Sequence, residues 1–256
     1  MKNMENMENI VVLILAGGLG KRMKSELPKV LHKLDTKSML STIIETASHL
    51  PHLKILVVVG KYHPIIQETL KKEIPNLECN IEYVIQEKSL GTGHAVISAK
   101  EHVKDITGDI LILNGDAPLV TDKTLLDMIQ LYRNSDYSGF IANTTPPNCT
   151  GYGRIFTKLD QVVRIIEEKD CTPEQRNIKI VNSGIYLYNI PKLFENIHLL
   201  DCNNIQNEYY ITDMVHILHN KGYKIGTYHV KNYNELLNVN TRDALLEANK
   251  INKSIN

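Results

Sequence analysis

Three glycines within four positions, followed at once by two basic side chains, form the densest concentration of chemistry in the sequence. Leu15, Ala16, Gly17, Gly18, Leu19, Gly20, Lys21, Arg22 and Met23 follow one another directly behind an apolar run. Glycines let backbone N–H groups approach an anion closely, and Lys21 and Arg22 add positive charge, so the stretch reads as a phosphate cradle. The alternative is a tight turn after a strand. It is no Walker A loop, because Gly-Lys-Ser/Thr is missing, and a poor dinucleotide fingerprint, because Met23 stands where the third glycine belongs. Lys29 follows in Leu27-Pro28-Lys29-Val30-Leu31. Pro28 stiffens the loop and would hold the Lys29 ammonium over phosphates; the alternative is a solvated surface lysine.

Two further stretches carry polar groups past apolar runs. In Asn114-Gly115-Asp116-Ala117-Pro118 the carboxylate of Asp116 stands beyond Leu111-Ile112-Leu113. At the carboxyl end of a strand it could hold a divalent cation against a phosphate, or it could simply belong to a Gly-Asp turn before proline. In Gln86 through His94, the Gln86 amide offers a donor and an acceptor that match the edge of a uracil ring, and Gly91 permits close approach to a base. Thr92 is expected to cap the helix that follows.

The elements that must position these residues are legible as an alternation. Strands are expected at residues 10–15, 54–59, 80–85 and 109–113, and helices at 39–49, 64–72, 93–103 and 121–133. Such text implies right-handed βαβ units and an α/β fold, a mixed but mostly parallel sheet flanked by helices, with ligands beyond the carboxyl ends of the strands. After Phe140 the text turns strand-rich, with strands at 162–167 and 179–188, and reads as a small β-rich lobe. A helix at 208–220, a strand at 224–230 and a final charged helix from about Thr241 complete the reading. The whole, residues 1–256, is expected to be one domain, in two halves near 10–140 and 141–240 with a last helix at 241–256.

Composition excludes several classes. Lys plus Arg equals Asp plus Glu at 29 each, there is no Trp, and no basic block resembles a nucleic-acid-binding tail, so nucleic acid is not an expected partner. The polar stretch from Met1 to Asn9 and the short apolar run after it fit neither a signal sequence nor a membrane span, so a cytoplasmic location without membrane association is expected. Cys79, Cys149, Cys171 and Cys202 have no metal-ligand or disulfide spacing and read as free thiols.

Taken in order, the motifs resemble the uridyltransferases that form the N-terminal domain of the bacterial bifunctional enzymes making UDP-N-acetylglucosamine. The matching text comprises the glycine loop at 15–23, Leu-Pro-Lys-Val-Leu-His at 27–32, Leu-Gly-Thr-Gly-His at 90–94 and Gly-Asp-x-Pro-Leu at 115–119. It continues with Gly-Tyr-Gly-Arg-Ile at 151–155, Glu-x-Lys-Asp at 167–170, Asn-x-Gly-Ile at 182–185 and Glu-Tyr-Tyr-Ile-Thr-Asp at 208–213. The resemblance implies a Rossmann-like nucleotidyltransferase fold, Mg²⁺ as cofactor, and UTP and N-acetylglucosamine 1-phosphate as substrates. It further implies a nucleotide side of Leu15, Ala16, Gly17, Gly18, Lys29, Gln86, Gly91, Thr92, Asn114, Gly115 and Asp116. Gly153, Glu167, Asn182 and Asn240 fall on the sugar side, Asp116 and Asn240 on the metal, and Arg22, Lys29 and Asp116 carry catalysis.

The residues themselves leave Glu167 open as a solvated strand-end acid and Asn182 as a turn residue, and spacing does not single out Asn240. The sequence departs from the family pattern at Asn114, where an aromatic residue is frequent, and at Asn238 and Thr241, which flank Asn240. No left-handed β-helix repeat is present in the sequence, so an acetylation step is not expected. The same chemistry on glucose, galactose or N-acetylgalactosamine 1-phosphate, a dTTP enzyme of the same fold, and a non-catalytic nucleotide-sugar-binding regulator are the other readings.

Overall fold

The computed structural model describes residues 9–18, 20–77 and 79–255, with the side chains of Lys21 and Ile255 outside the description. The polar N-terminal stretch read above therefore lies outside it up to residue 8, as do Leu19 and the Lys21 side chain of the glycine loop.

The wholly apolar β1 (Ile10–Leu15) belongs at the centre of a sheet because both its faces must be covered. Val12 and Ile14 point into one hydrophobic cluster, and Val11 and Leu13 into another on the opposite face. Parallel neighbours flank it: β4 (Lys54–Val59) with β5 (Ile81–Ile85) beyond, and β6 (Asp109–Asn114) on the other side. Then the direction reverses. β10 (Val181–Asn189) is antiparallel to β6 and to β7 (Gly139–Thr144), and β11 (Ile225–His229) closes the sheet parallel to β7. A hairpin of β8 (Arg154–Lys158) and β9 (Gln161–Ile166) hangs from the start of β10. The β-rich second half thus continues the sheet of the first and adds one hairpin.

Helices α1 (Met39–Ser48), α2 (His63–Glu73) and α5 (Asp122–Arg133) cover one face. Helices α3 (Thr92–Ser98), α4 (Lys100–Val103), α6 (Ile190–Asn196) and α7 (Asp213–Asn220) cover the other. Local chemistry sets their starts: the Ser38 hydroxyl accepts from the Ser41 N–H ahead of α1, and the Thr121 hydroxyl from the Thr124 N–H ahead of α5. The last helix, α8 (Arg242–Ile255), packs Ala248 with Leu34, Met39, Leu119 and Val239 in a third cluster. Leu34 belongs to the small hairpin of β2 (Lys33–Leu34) and β3 (Lys37–Ser38). No helix of the described residues is long and apolar enough to cross a membrane. All four cysteines are free.

Three expectations need correction. The helix expected over 93–103 is divided at Ala99, whose N–H turns to Val96 O while His102 N–H turns to Ala99 O, a tighter pairing than the α-helical one. The helix expected from 208 begins at Asp213, because the backbone of 209–211 bonds sideways to the loop before α3. Thr92 is not the cap of α3; Gly91 holds that position, and the Thr92 hydroxyl accepts the N–H of Ile211 instead. Strands β7 and β8, helix α6 and the β2–β3 hairpin were not anticipated.

Candidate active site

The carboxyl ends of β1, β4, β5 and β6 share one edge of the sheet. Because β10 runs the other way, with Tyr186 opposite Ile112 and Val181 opposite Thr144, its first residues reach that same edge. Residue 153, just before β8, and residue 167, just after β9, also lie there through the pairings of Arg154 with Val181 and Ile166.

Lys29, Arg22, Asp116 and Asn240 converge at this edge. The Lys29 ammonium is bound to Asp116 Oδ2 and donates to Asn240 Oδ1 at 3.1 Å; Arg22 Nη2 donates to the same oxygen at 2.9 Å. The Lys29 and Asp116 side chains are only 16% and 11% exposed, so their charges face a reduced dielectric. The backbone locks the arrangement: Gly115 N–H donates to Leu15 O (3.0 Å), and Val239 N–H to Asp116 O (2.8 Å). Two oxygen donors from distant parts of the chain thus meet at a single positive charge, and a carboxylate with an amide oxygen is a donor set suited to a hard divalent cation. Asn240 shows no signal in spacing, and the fold alone brings it here.

A second group stands beside the glycine loop. Ala16 N–H is held by Val58 O (2.9 Å), and Gln86 N–H by Val59 O (2.7 Å). This brings Gly17 against the Gln86 amide, where a Cβ on Gly17 would lie 2.7 Å from Gln86 Oε1. Gln86 Nε2 donates to Gly91 O at 3.2 Å and lies 3.2 Å from His94 Nδ1. Gly91 has φ +106°, and a Cβ there would meet Tyr209 O at 2.5 Å, so both conformation and space demand glycine. Tyr209 N–H donates to Leu90 O (2.8 Å) and Gly93 N–H to Tyr209 O (2.7 Å).

The third group consists of Gly153, Glu167 and Asn182. A Cβ on Gly153 would sit 3.4 Å from Glu167 Oε2. Glu167 is half-buried and tightly surrounded by protein; the loss of water pushes its carboxyl above the usual range, a hydrogen bond from Thr212 Oγ1 (3.0 Å) opposes this, and Asp213 and Asp170 add to it. Asn182 N–H donates to Gly153 O (2.9 Å); its side-chain Nδ2 donates to Tyr186 Oη (2.7 Å) and its Oδ1 accepts from Gly184 N–H (3.2 Å). One N–H and one lone pair of that amide stay available to a ligand.

Asn114 and Asn238, both departures from the family pattern, pair with each other. Asn114 Nδ2 donates to Asn238 Oδ1 at 3.3 Å, and Asn238 Nδ2 reaches Ser183 O at 3.3 Å. They tie the segment bearing Asn240 to the end of β6 and the start of β10. Sequence reasoning missed Thr212 and Arg242 as well. Thr212 stood within the 208–213 motif, so a signal existed; Arg242, whose guanidinium donates to Met23 O (3.1 Å) and Lys24 O (2.8 Å), gave none.

A sequence profile described as nucleotidyl transferase matches residues 11–253. The bifunctional protein GlmU of Clostridium acetobutylicum is 40% identical over 240 residues, 93% of this chain and 51% of that protein. The GlmU of Acetivibrio thermocellus is 41% identical over 249 residues, 97% of this chain and 52% of that protein. The chain thus spans about half the length of these curated relatives. Among solved structures, a UDP-glucose pyrophosphorylase complexed with UDP-glucose superposes with TM-score 0.75 at 19% identity, covering 96% of this chain and 99% of that one. A putative glucose-1-phosphate thymidylyltransferase from Bacillus anthracis, in complex with a sucrose, gives TM-score 0.73 at 17% identity, with 96% of each chain covered. Those two likenesses establish a common fold. With the profile running through nearly every element that builds the sheet edge, the chain belongs to the nucleotidyl transferase family.

Proposed function

We propose that the chain transfers the uridylyl group of UTP to N-acetylglucosamine 1-phosphate, giving UDP-N-acetylglucosamine and pyrophosphate. The observation that carries this reading is the convergence of Lys29, Arg22, Asp116 and Asn240 beside the glycine loop. The motif resemblance to the uridyltransferases, together with 40% and 41% identity to two GlmU proteins, supports the choice of base and sugar.

The sugar phosphate oxygen that attacks the α-phosphorus is already anionic, so no general base is required. Positioning and charge neutralisation carry the reaction. Lys29 and Arg22 face the triphosphate and stabilise charge moving onto the departing pyrophosphate. Asp116 and Asn240 would hold Mg²⁺, which would supply further neutralisation of phosphate charge. Gln86, with Gly91 and Thr92, meets the uracil edge, and Leu15, Ala16, Gly17, Gly18, Asn114 and Gly115 line the nucleotide. Gly153, Glu167 and Asn182 meet the sugar hydroxyls.

The test is pyrophosphate release with UTP and Mg²⁺ across a panel of sugar 1-phosphates. The expected result is release that is fastest with N-acetylglucosamine 1-phosphate. Fastest release with glucose or galactose 1-phosphate would reassign the sugar, and binding of UDP-N-acetylglucosamine without release from any sugar would reassign the chain to a regulator.

A further inference from the structure

The motif at 208–213 has no chemical role in the reading above, yet its backbone touches the loop of Gly91 and one of its side chains touches Glu167. We propose that Thr212 is a positioning residue for the acceptor sugar: its hydroxyl aims the Glu167 carboxyl, while the backbone just before it holds the loop of Gly91 and Thr92. One short segment then fixes the separation between the sugar and base subsites. This rests on the uridylyl-transfer reading.

Thr212 is buried, at 2% exposure. Its Oγ1 donates to Glu167 Oε1 at 3.0 Å, and among the described residues this is the hydrogen bond that the Glu167 carboxyl makes. Oε1 being engaged, Oε2 is the oxygen left beside Gly153. Around Glu167 stand Asp170, Glu168 and Cys171 on its own turn, Asp213 on α7, Tyr186 on β10, Tyr210 in the segment itself, and Arg154 on β8, whose guanidinium is bound to Glu168. Among the described residues it is the Thr212 hydroxyl that donates to the Glu167 carboxyl, orienting it and favouring its ionised form. Directly upstream, Ile211 N–H donates to Thr92 Oγ1 (3.1 Å), and Tyr209 exchanges backbone hydrogen bonds with Leu90 and Gly93. Residues 209 and 211, directly before Thr212, thus hold residues 90, 92 and 93 of the base loop.

Thr212→Val keeps the shape and removes the hydroxyl; Thr212→Ser keeps the hydroxyl. The valine variant is expected to raise KM for N-acetylglucosamine 1-phosphate about tenfold, the scale of one lost hydrogen bond to a charged group, and to leave KM for UTP within about twofold. The serine variant should restore the sugar KM, and Thr212→Val should add little in a Glu167→Gln background. Equal losses for both substrates, or additive effects with Glu167→Gln, would overturn the positioning role. An independent readout needs no turnover: carboxyl ¹³C titration of Glu167 in the free protein should show a higher midpoint in Thr212→Val than in wild type or Thr212→Ser. An unmoved midpoint overturns the inference even in an active enzyme. Should wild type release no pyrophosphate with any sugar 1-phosphate, the functional reading falls, and the titration alone still decides whether Thr212 governs Glu167.

Discussion

Asn240 Oδ1 accepts from both Lys29 and Arg22, so removing either cation leaves the other to face a polyphosphate with less help. Lys29→Ala and Asp116→Ala are each expected to lower kcat by about two orders of magnitude, the scale for one positioned electrostatic group. Near wild-type turnover in either variant would remove that residue from the mechanism. Glu167 supplies a prediction of opposite sign for stability. Its folded carboxyl is pushed up by loss of water, so between the unfolded value near 4.3 and the higher folded value the native state holds the proton more tightly. Stability therefore declines as pH rises through that window, and the decline is complete above the folded value. Glu167→Gln should melt at a higher temperature than wild type at pH 7.5, with the advantage vanishing toward pH 4, while raising KM for the sugar phosphate. Calorimetry at both pH values checks this; identical melting at pH 7.5 would refute it. Lys29 and Asp116 were legible because glycine and proline mark their loops. Asn240 was not, since an amide in a polar stretch carries no local signature.

At the level of elements, the segment from Leu236 to Asn240 has no regular strand or helix after its short 3-10 turn (Tyr233–Leu236). It is held by Val239 N–H to Asp116 O and by the amide of Asn238, which bridges Asn114 and Ser183. Asn238→Ala should raise the Mg²⁺ concentration giving half-maximal rate by about tenfold, because partners that orient a ligand typically contribute on that scale. A titration of rate against Mg²⁺ that coincides with wild type would show that Val239 suffices. The central strands β1, β4 and β6 were readable because apolar runs covered on both faces leave little ambiguity. The stretch 208–212 was misread as helix because its apolar and aromatic spacing fits a helical face, whereas Tyr209 and the Ile211 N–H bond sideways to residues 90–93. Strand β7 (Gly-Phe-Ile-Ala-Asn-Thr) begins with glycine and ends with polar residues, and only its neighbours β10 and β11 make it a strand.

Over the whole molecule, a single sheet carries both candidate subsites, with the change of direction at β10 turning two kinds of strand end toward one edge. The parallel part followed from the alternation of strands and helices; the placement of β10 between β6 and β7 did not, because strand order is decided by tertiary packing. Closure of the molecule is equally non-local. Arg242 at the start of α8 holds the carbonyls of Met23 and Lys24, and Asn249 on the same helix accepts from Asp35 N–H (2.8 Å). Arg242→Ala should raise KM for UTP by roughly tenfold, less than the hundredfold that a badly misplaced reacting group can cost, by loosening the loop behind Arg22. Unchanged KM would mean that the loop keeps its shape without the helix.

The pairing of Lys29 with Asn240 also bears on how the protein comes into being on the ribosome. A nascent chain that has emerged as far as Asp116 already displays the glycine loop, the lysine and the carboxylate, but neither Asn240 nor Arg242. With partners so far apart along the chain, loop-closure entropy delays the final assembly. The contacts of Lys29 with Asn240 and of Arg242 with Met23 are thus made late, after the strands that complete the sheet have left the exit tunnel.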